Sequence, residues 1–244
     1  MTSHRIETSD GAVLHVEEDG AGPPVFLVNG AFCSVRQWDR AVPELARSFR
    51  VIRHDVRGSG RSGDGPDDHN RFEQYADDIV AIGDHLGAGQ SALWGMAWGA
   101  RVAIVAAARH AERFSRLVLS DLGIDPADVE AQKAGAKAAA AARARAGIAE
   151  IPRPEGWRDH EDFDAARKAM AATFQHPDLM PFVTQVTIPV LVVTGEHDPN
   201  LVSSRRALSG LSNGQLEVLP HTGHGSVLQR PDLVTKKVGP FLAE

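Results

Sequence analysis

Between Ser91 and Arg101 an apolar run passes through Gly95-Met-Ala-Trp-Gly99 and continues, with no loop, into a stretch of small residues of helical character. A strand that turns straight into a helix holds its apex residue at strained backbone angles and brings the chain close to itself. The positions two before and two after the apex must therefore be small. Gly95 and Gly99 hold those positions and make Ala97 the apex. A strand packed beneath the helix that follows it is the minimum this segment requires.

The rest of the chain supplies the sheet. Segments 4–7 and 13–17 alternate apolar and polar residues around Asp10-Gly11, which predicts an antiparallel hairpin and hence an antiparallel edge. After the Gly20-Ala-Gly-Pro-Pro24 break, segments 25–29, 51–55, 91–94, 117–121, 190–195 and 216–219 are apolar at consecutive positions, as strands buried on both faces are. Between them, 71–86 places Phe72, Tyr75, Ile79, Ile82 and Leu86 at helical spacing, and 98–110 is a helix of small residues. Alternation of this kind predicts a mostly parallel sheet with helices on both faces. Only residues 122–182 break the rhythm. They hold an Ala-rich helical run at 127–146, a second helical pattern at 163–174, and Pro152, Pro154, Pro177 and Pro181 as punctuation. The division expected is a core of 1–121 and 183–244 carrying a helical lid at 122–182.

Composition narrows the partners. In 244 residues there are 26 Lys+Arg against 32 Asp+Glu, a formal charge of −6, so no basic field draws in nucleic acid or an anionic membrane. The most apolar stretch, 102–108, stops at Arg109, far short of the roughly 18 residues a membrane span needs. A single cysteine, Cys33, and a start without a basic-then-apolar profile predict a cytoplasmic protein whose partner is a small molecule.

With serine at its apex, the 91–101 segment would be a nucleophile elbow, and the sequence resembles the α/β-hydrolase family over nearly its whole length. The resemblance implies the chain order nucleophile, acid, histidine. Gly195-Glu-His-Asp-Pro199 is similar to the loop carrying the acid, at Asp198, and His221-Thr-Gly-His-Gly225 to the histidine loop, at His224. Glu196 and His221 are then neighbours of the site. Asp121, ending the preceding strand, is the second candidate for the acid. Asn29-Gly-Ala-Phe-Cys33 resembles the family's His-Gly loop with Asn for His, which assigns the oxyanion donors to the backbone N–H groups of Ala31 and Trp98, with Phe32 the adjacent alternative.

Two other motifs point elsewhere. Gly58-Ser-Gly-Arg-Ser-Gly63 satisfies G-x-G-x-x-G, but Asp64, Asp67 and Asp68 follow where phosphate oxygens would go, and the helix begins too late. It resembles instead the structural turn after the family's fourth strand. His221 and His224 alone make half a metal site, with His197 the only further ligand nearby, so neither metal nor cofactor is expected.

Alanine has no lone pair with which to attack a carbonyl, so Ala97 cannot begin covalent catalysis. A deliberate Ser→Ala replacement, a natural ligand binder and base chemistry by His224 alone are the three readings. The parent activity implied is hydrolysis of a carboxylic ester, lactone or thioester, with acyl transfer and carbon–carbon bond hydrolysis open to the same parts. Phe32, Met96, Trp98, Leu122 and Val227 adjoin the predicted loops. Trp157 and Phe163 reach from the lid, which suggests a largely apolar substrate.

Overall fold

The computed structural model describes residues 1–176 and 178–244, with Asp67 in its backbone only; Pro177 lies outside the described residues. Eight strands form one sheet. They are β1 (Thr2–Glu7), β2 (Val13–Asp19), β3 (Pro24–Val28), β4 (Arg50–His54), β5 (Ser91–Met96), β6 (Phe114–Ser120), β7 (Val190–Gly195) and β8 (Gly214–Leu219). Their order is β1-β2-β4-β3-β5-β6-β7-β8. β1 and β2 pair antiparallel, as do β2 and β4, and every other pairing is parallel. The antiparallel edge and parallel body expected from the sequence are both present.

Consecutive apolar residues in the central strands serve opposite faces. On one face Phe26, Val28, Leu93, Leu117, Leu119, Val190 and Val192 join one core; on the other Val25, Leu27, Trp94, Val118, Leu191 and Val193 join a second. Each fully buried side chain of this size contributes about 1.5–3 kcal/mol as an upper estimate. Trp38 meets Trp94 edge-on at 5.1 Å in the second core.

Helices α1 (Val42–Leu45), α2 (Phe72–His85), α3 (Trp98–Arg109), α4 (Val129–Arg145), α5 (Phe163–Met170), α6 (Met180–Val183), α7 (Leu201–Leu208), α8 (Ser226–Gln229) and α9 (Pro231–Ala243) cover the sheet and its carboxyl edge. α2, α3 and α6 bury their apolar faces in the first core; α1, α8 and α9 bury theirs in the second. Residues 122–182 contain helices and turns, with no strand among the described residues. Asp128 caps α4 by accepting from the N–H of Ala131 at 2.9 Å, and Asp162 caps α5 through the N–H groups of Asp164 and Ala165. No described helix is long and apolar enough to cross a membrane.

Two expectations need correction. β8 is an edge strand, not one buried on both faces: its residues are mostly half-exposed and Val218 is 38% exposed. Gln215 and Glu217 alternate with Leu216 and Val218, a polar pattern that a strand buried on both faces does not carry. The helix expected at 163–174 ends at Met170 and tightens into a 3₁₀ turn at Ala171–Phe174, in which Ala172 is buried in the first core and Phe174 stays in solvent.

Candidate active site

Parallel strands bring their carboxyl ends to one edge, and the candidate site residues lie on the loops there. Ala97 leaves β5 at φ 52°, ψ −111° and its N–H donates to the Ser120 carbonyl at 2.7 Å. The glycines that permit this are close-approach positions. A Cβ on Gly95 would lie 2.3 Å from the Gly99 carbonyl oxygen, and one on Gly99 would lie 2.3 Å from that of Asn29. The start of α3 is thereby pressed against the end of β3, bringing the backbone of Trp98 beside the 29–33 loop.

That loop is fixed by the residue that departs from the family pattern. Asn29 donates through Nδ2 to the His54 carbonyl at 3.0 Å and accepts from Trp38 Nε1 at 2.9 Å. The Gly30 N–H donates to Gln37 Oε1 at 2.9 Å. Among the described residues, none accepts from the N–H groups of Ala31, Phe32 or Trp98. Cys33 is buried, and burial pushes its thiol up to about 12, so it is no nucleophile at neutral pH.

At the ends of β7 and β8, His224 Nδ1 lies 3.0 Å from Asp198 Oδ2; the imidazole is 21% exposed and the carboxylate fully buried. The Asn200 N–H donates to Asp198 Oδ1 at 2.9 Å, leaving Oδ2 for the imidazole. His197 donates its N–H to the Thr222 carbonyl, tying the two loops together. Arg143 of α4 donates to the His221 carbonyl at 3.0 Å and to Gln229 Oε1 at 2.7 Å, and Gln229 Nε2 donates to the His224 carbonyl. Sequence reading missed Arg143 and Gln229. An arginine in the last turn of an Ala-rich helix carries no signal that it spans to a loop 78 residues away.

Asp121 stands at the end of β6 with φ 55°, fully buried. Its Oδ2 accepts from the Ser226 N–H at 2.7 Å, while Oδ1 has no partner. Burial pushes this carboxyl up to about 7, and the neighbouring Asp198 charge adds to the rise. For His224, burial pulls the imidazole down, but the hydrogen bond and charge of Asp198, with the charge of Asp121, outweigh it and raise its pKa. The pair therefore adds stability that is fully present below the unfolded imidazole's 6.5 and is lost as pH rises through the higher folded value. Followed by NMR in the chain as it stands, the His224 ring titrates with a midpoint above 6.5, and Asp198→Asn lowers that midpoint. A midpoint unmoved by Asp198→Asn would remove Asp198 as its partner.

The other candidate positions are spread more widely. Trp98 sends its ring away from the edge, packing 5.5 Å from both Phe72 and Tyr75. Met96 and Val227 are buried in the second core and Leu122 in the first. Phe32 and Phe163 stack on each other at 5.8 Å, and Phe163 is 59% exposed. Trp157 is half-buried between Arg153 and Arg158. The 58–63 turn is a structural knot. Asp55 accepts from the N–H groups of Val35 and Arg61, and the fully buried Arg57 is held by Asp10 and Asp78.

A strained elbow, a loop with open N–H groups beside it and a His–Asp pair on successive strand ends define one class of protein. The chain belongs to the alpha/beta hydrolase fold family, whose model matches residues 23–150. It is similar to 2-(acetamidomethylene)succinate hydrolase of Mesorhizobium japonicum (strain LMG 29417 / CECT 9101 / MAFF 303099), at 28% identity over 94% of this chain and 91% of that enzyme. It is also similar to 2-hydroxymuconate semialdehyde hydrolase of Pseudomonas sp. (strain CF600), at 35% identity over 45% of this chain and 40% of that enzyme. Among solved structures, the enol-lactonase from Burkholderia xenovorans LB400 superposes with a TM-score of 0.78 at 25% identity, over 96% of this chain and 97% of that one. These relatives support a hydrolase function.

Proposed function

We propose that the chain is a Ser-His-Asp hydrolase scaffold for small carboxylic esters, lactones or thioesters, silent as it stands because Ala97 replaces the nucleophile. The 3.0 Å pair of His224 and Asp198 carries this reading: a buried carboxylate holding one imidazole nitrogen leaves the other as general base. With a hydroxyl at position 97, His224 takes its proton as the oxygen attacks the carbonyl carbon. Charge develops on the carbonyl oxygen and is met by the N–H groups of Ala31 and Trp98, with Phe32 beside them. His224 then protonates the leaving group, and water repeats the sequence to release the acid. Carbon–carbon bond hydrolysis and acyl transfer use the same parts.

Residues 122–182 serve in this reading as the lid, with Phe163 stacked on Phe32 of the oxyanion loop as its apolar contact. Asp121, holding a Ser226 N–H instead of the imidazole, supports the histidine loop and is not the triad acid. A ligand-binding protein is the second reading, favoured by Ala97 itself.

The test is Ala97→Ser, assayed on p-nitrophenyl acetate and butyrate and with a fluorophosphonate probe. Turnover rises by about 10³-fold or more over the chain as it stands, and the probe labels position 97 only when it is serine. A folded Ala97→Ser chain that neither labels nor turns over would sink the hydrolase reading and leave the binding protein.

A further inference from the structure

Residues 156–161 are clamped to the core at two places. The Ser34 N–H donates to the Trp157 carbonyl at 2.8 Å and Ser34 Oγ donates to that of Gly156 at 2.7 Å. The Gly60 N–H donates to His160 Nδ1, and the Glu161 N–H to the Gly60 carbonyl, both at 2.8 Å. Ser34 directly follows the 29–33 loop, so the clamp sets this segment next to the oxyanion donors.

The segment separates its charges. Glu155 and Asp159 line a cleft of about 610 Å³ with Arg36, Arg40 and Arg61, a cleft to which Ala97, Asp198 and His224 contribute nothing. Arg153 and Arg158 stay outside that lining and stack on Trp157, 4.9 and 4.3 Å from its ring centroid. Among the described residues, neither guanidinium forms an ion pair with a carboxylate, whereas Arg36, Arg53, Arg57 and Arg61 all do. The positive charges of both reach the buried Cys33 thiol, and Arg158 also hydrogen-bonds to it. Cys33 belongs to the oxyanion loop and donates through Sγ to the Ala31 carbonyl at 3.4 Å.

Arg205 and several other arginines likewise form no ion pair among the described residues; Arg153 and Arg158 differ in lying together over one indole, two positive charges side by side in a chain of charge −6. A guanidinium held over an indole keeps N–H donors for a planar carboxylate, all of them at Arg153 and those not turned to Cys33 at Arg158. The geometry points to a carboxylate subsite at Arg153 and Arg158, beside the oxyanion loop, so that the substrate is a carbonyl compound bearing a second, ionised carboxyl group. This rests on the hydrolase reading above and adds one anionic end to the otherwise apolar substrate.

The test compares p-nitrophenyl butyrate with mono-p-nitrophenyl glutarate in the Ala97→Ser chain, as a ratio of kcat/KM values. Arg153→Gln combined with Arg158→Gln lowers the glutarate-to-butyrate ratio at least tenfold, while Arg205→Gln, on exposed α7, leaves it where it was. An unchanged ratio in the double variant, with an unchanged melting midpoint, overturns the subsite. If the Ala97→Ser chain turns over neither ester, the hydrolase reading fails by itself, and calorimetry with monomethyl glutarate on the chain as it stands decides the subsite. Binding weakened at least tenfold by the double variant upholds it; absent or unaltered binding overturns it.

Discussion

In an Ala97→Ser chain, His224→Ala lowers kcat/KM on an activated ester by about 10⁴-fold or more, and Asp198→Asn by a comparable factor. The two losses differ in origin. Without the imidazole, the attacking hydroxyl has nowhere to put its proton. Without the Asp198 charge, the imidazole remains but loses its 3.0 Å partner and the field that stabilises its charged form. Asp121→Asn is the discriminating control: its Oδ2 is bound to the Ser226 N–H, an acceptor role the amide oxygen can keep, so its effect stays below about tenfold. Stopped-flow kinetics separate acylation from deacylation, and melting curves confirm that each variant is folded. A chain in which Asp121→Asn is the crippling change and Asp198→Asn the mild one would move the acid to β6.

The second large effect is on folding. Gly99→Ala places a methyl group 2.3 Å from the Asn29 carbonyl oxygen and 2.4 Å from that of Val28, both backbone atoms at the end of a fully buried strand. Neither can move without shifting β3 or α3, so destabilisation is about 3 kcal/mol or more, a fall of roughly 6–12 °C in Tm for a domain of this size. Gly83→Ala is the matched comparison. Its Cβ would meet only ordinary neighbours, the nearest at 3.5 Å, in the last turn of α2, where alanine is still the better helix former. It stabilises by up to about 1 kcal/mol. Equal Tm values for the two variants would show that the close approach of α3 to β3 does not hold.

What was legible in the sequence was whatever depends on local spacing. Consecutive apolar residues announced the central strands because each strand serves two cores, and Gly95 and Gly99 announced the elbow because their neighbours are two residues from the apex. The loops that follow strands pointed to His224 and Asp198, which lie 3.0 Å apart. Hidden were the links between segments distant in sequence. The hydrogen bonds of Asn29 to His54 and Trp38 depend on how β3, β4 and the turn between them pack. The Arg143 bridge depends on where α4 lies, and the Ser34 clamp on how residues 156–161 return to the core. The edge position of β8 was not hidden in the same way: Gln215 and Glu217, alternating with Leu216 and Val218, mark its half-exposed character.

Four non-glycine residues hold left-handed backbone angles: Phe32, Ala97, Asp121 and His221. They follow β3, β5, β6 and β8, so every one stands on the same rim of the sheet. Each such residue costs on the order of 1–3 kcal/mol, which the surrounding fold must offset. Glycine at any of the four would release that tension at once. The rim therefore concentrates backbone strain, held in shape by the two cores beneath it. At Ala97 that tension is spent on a side chain that is only a methyl group.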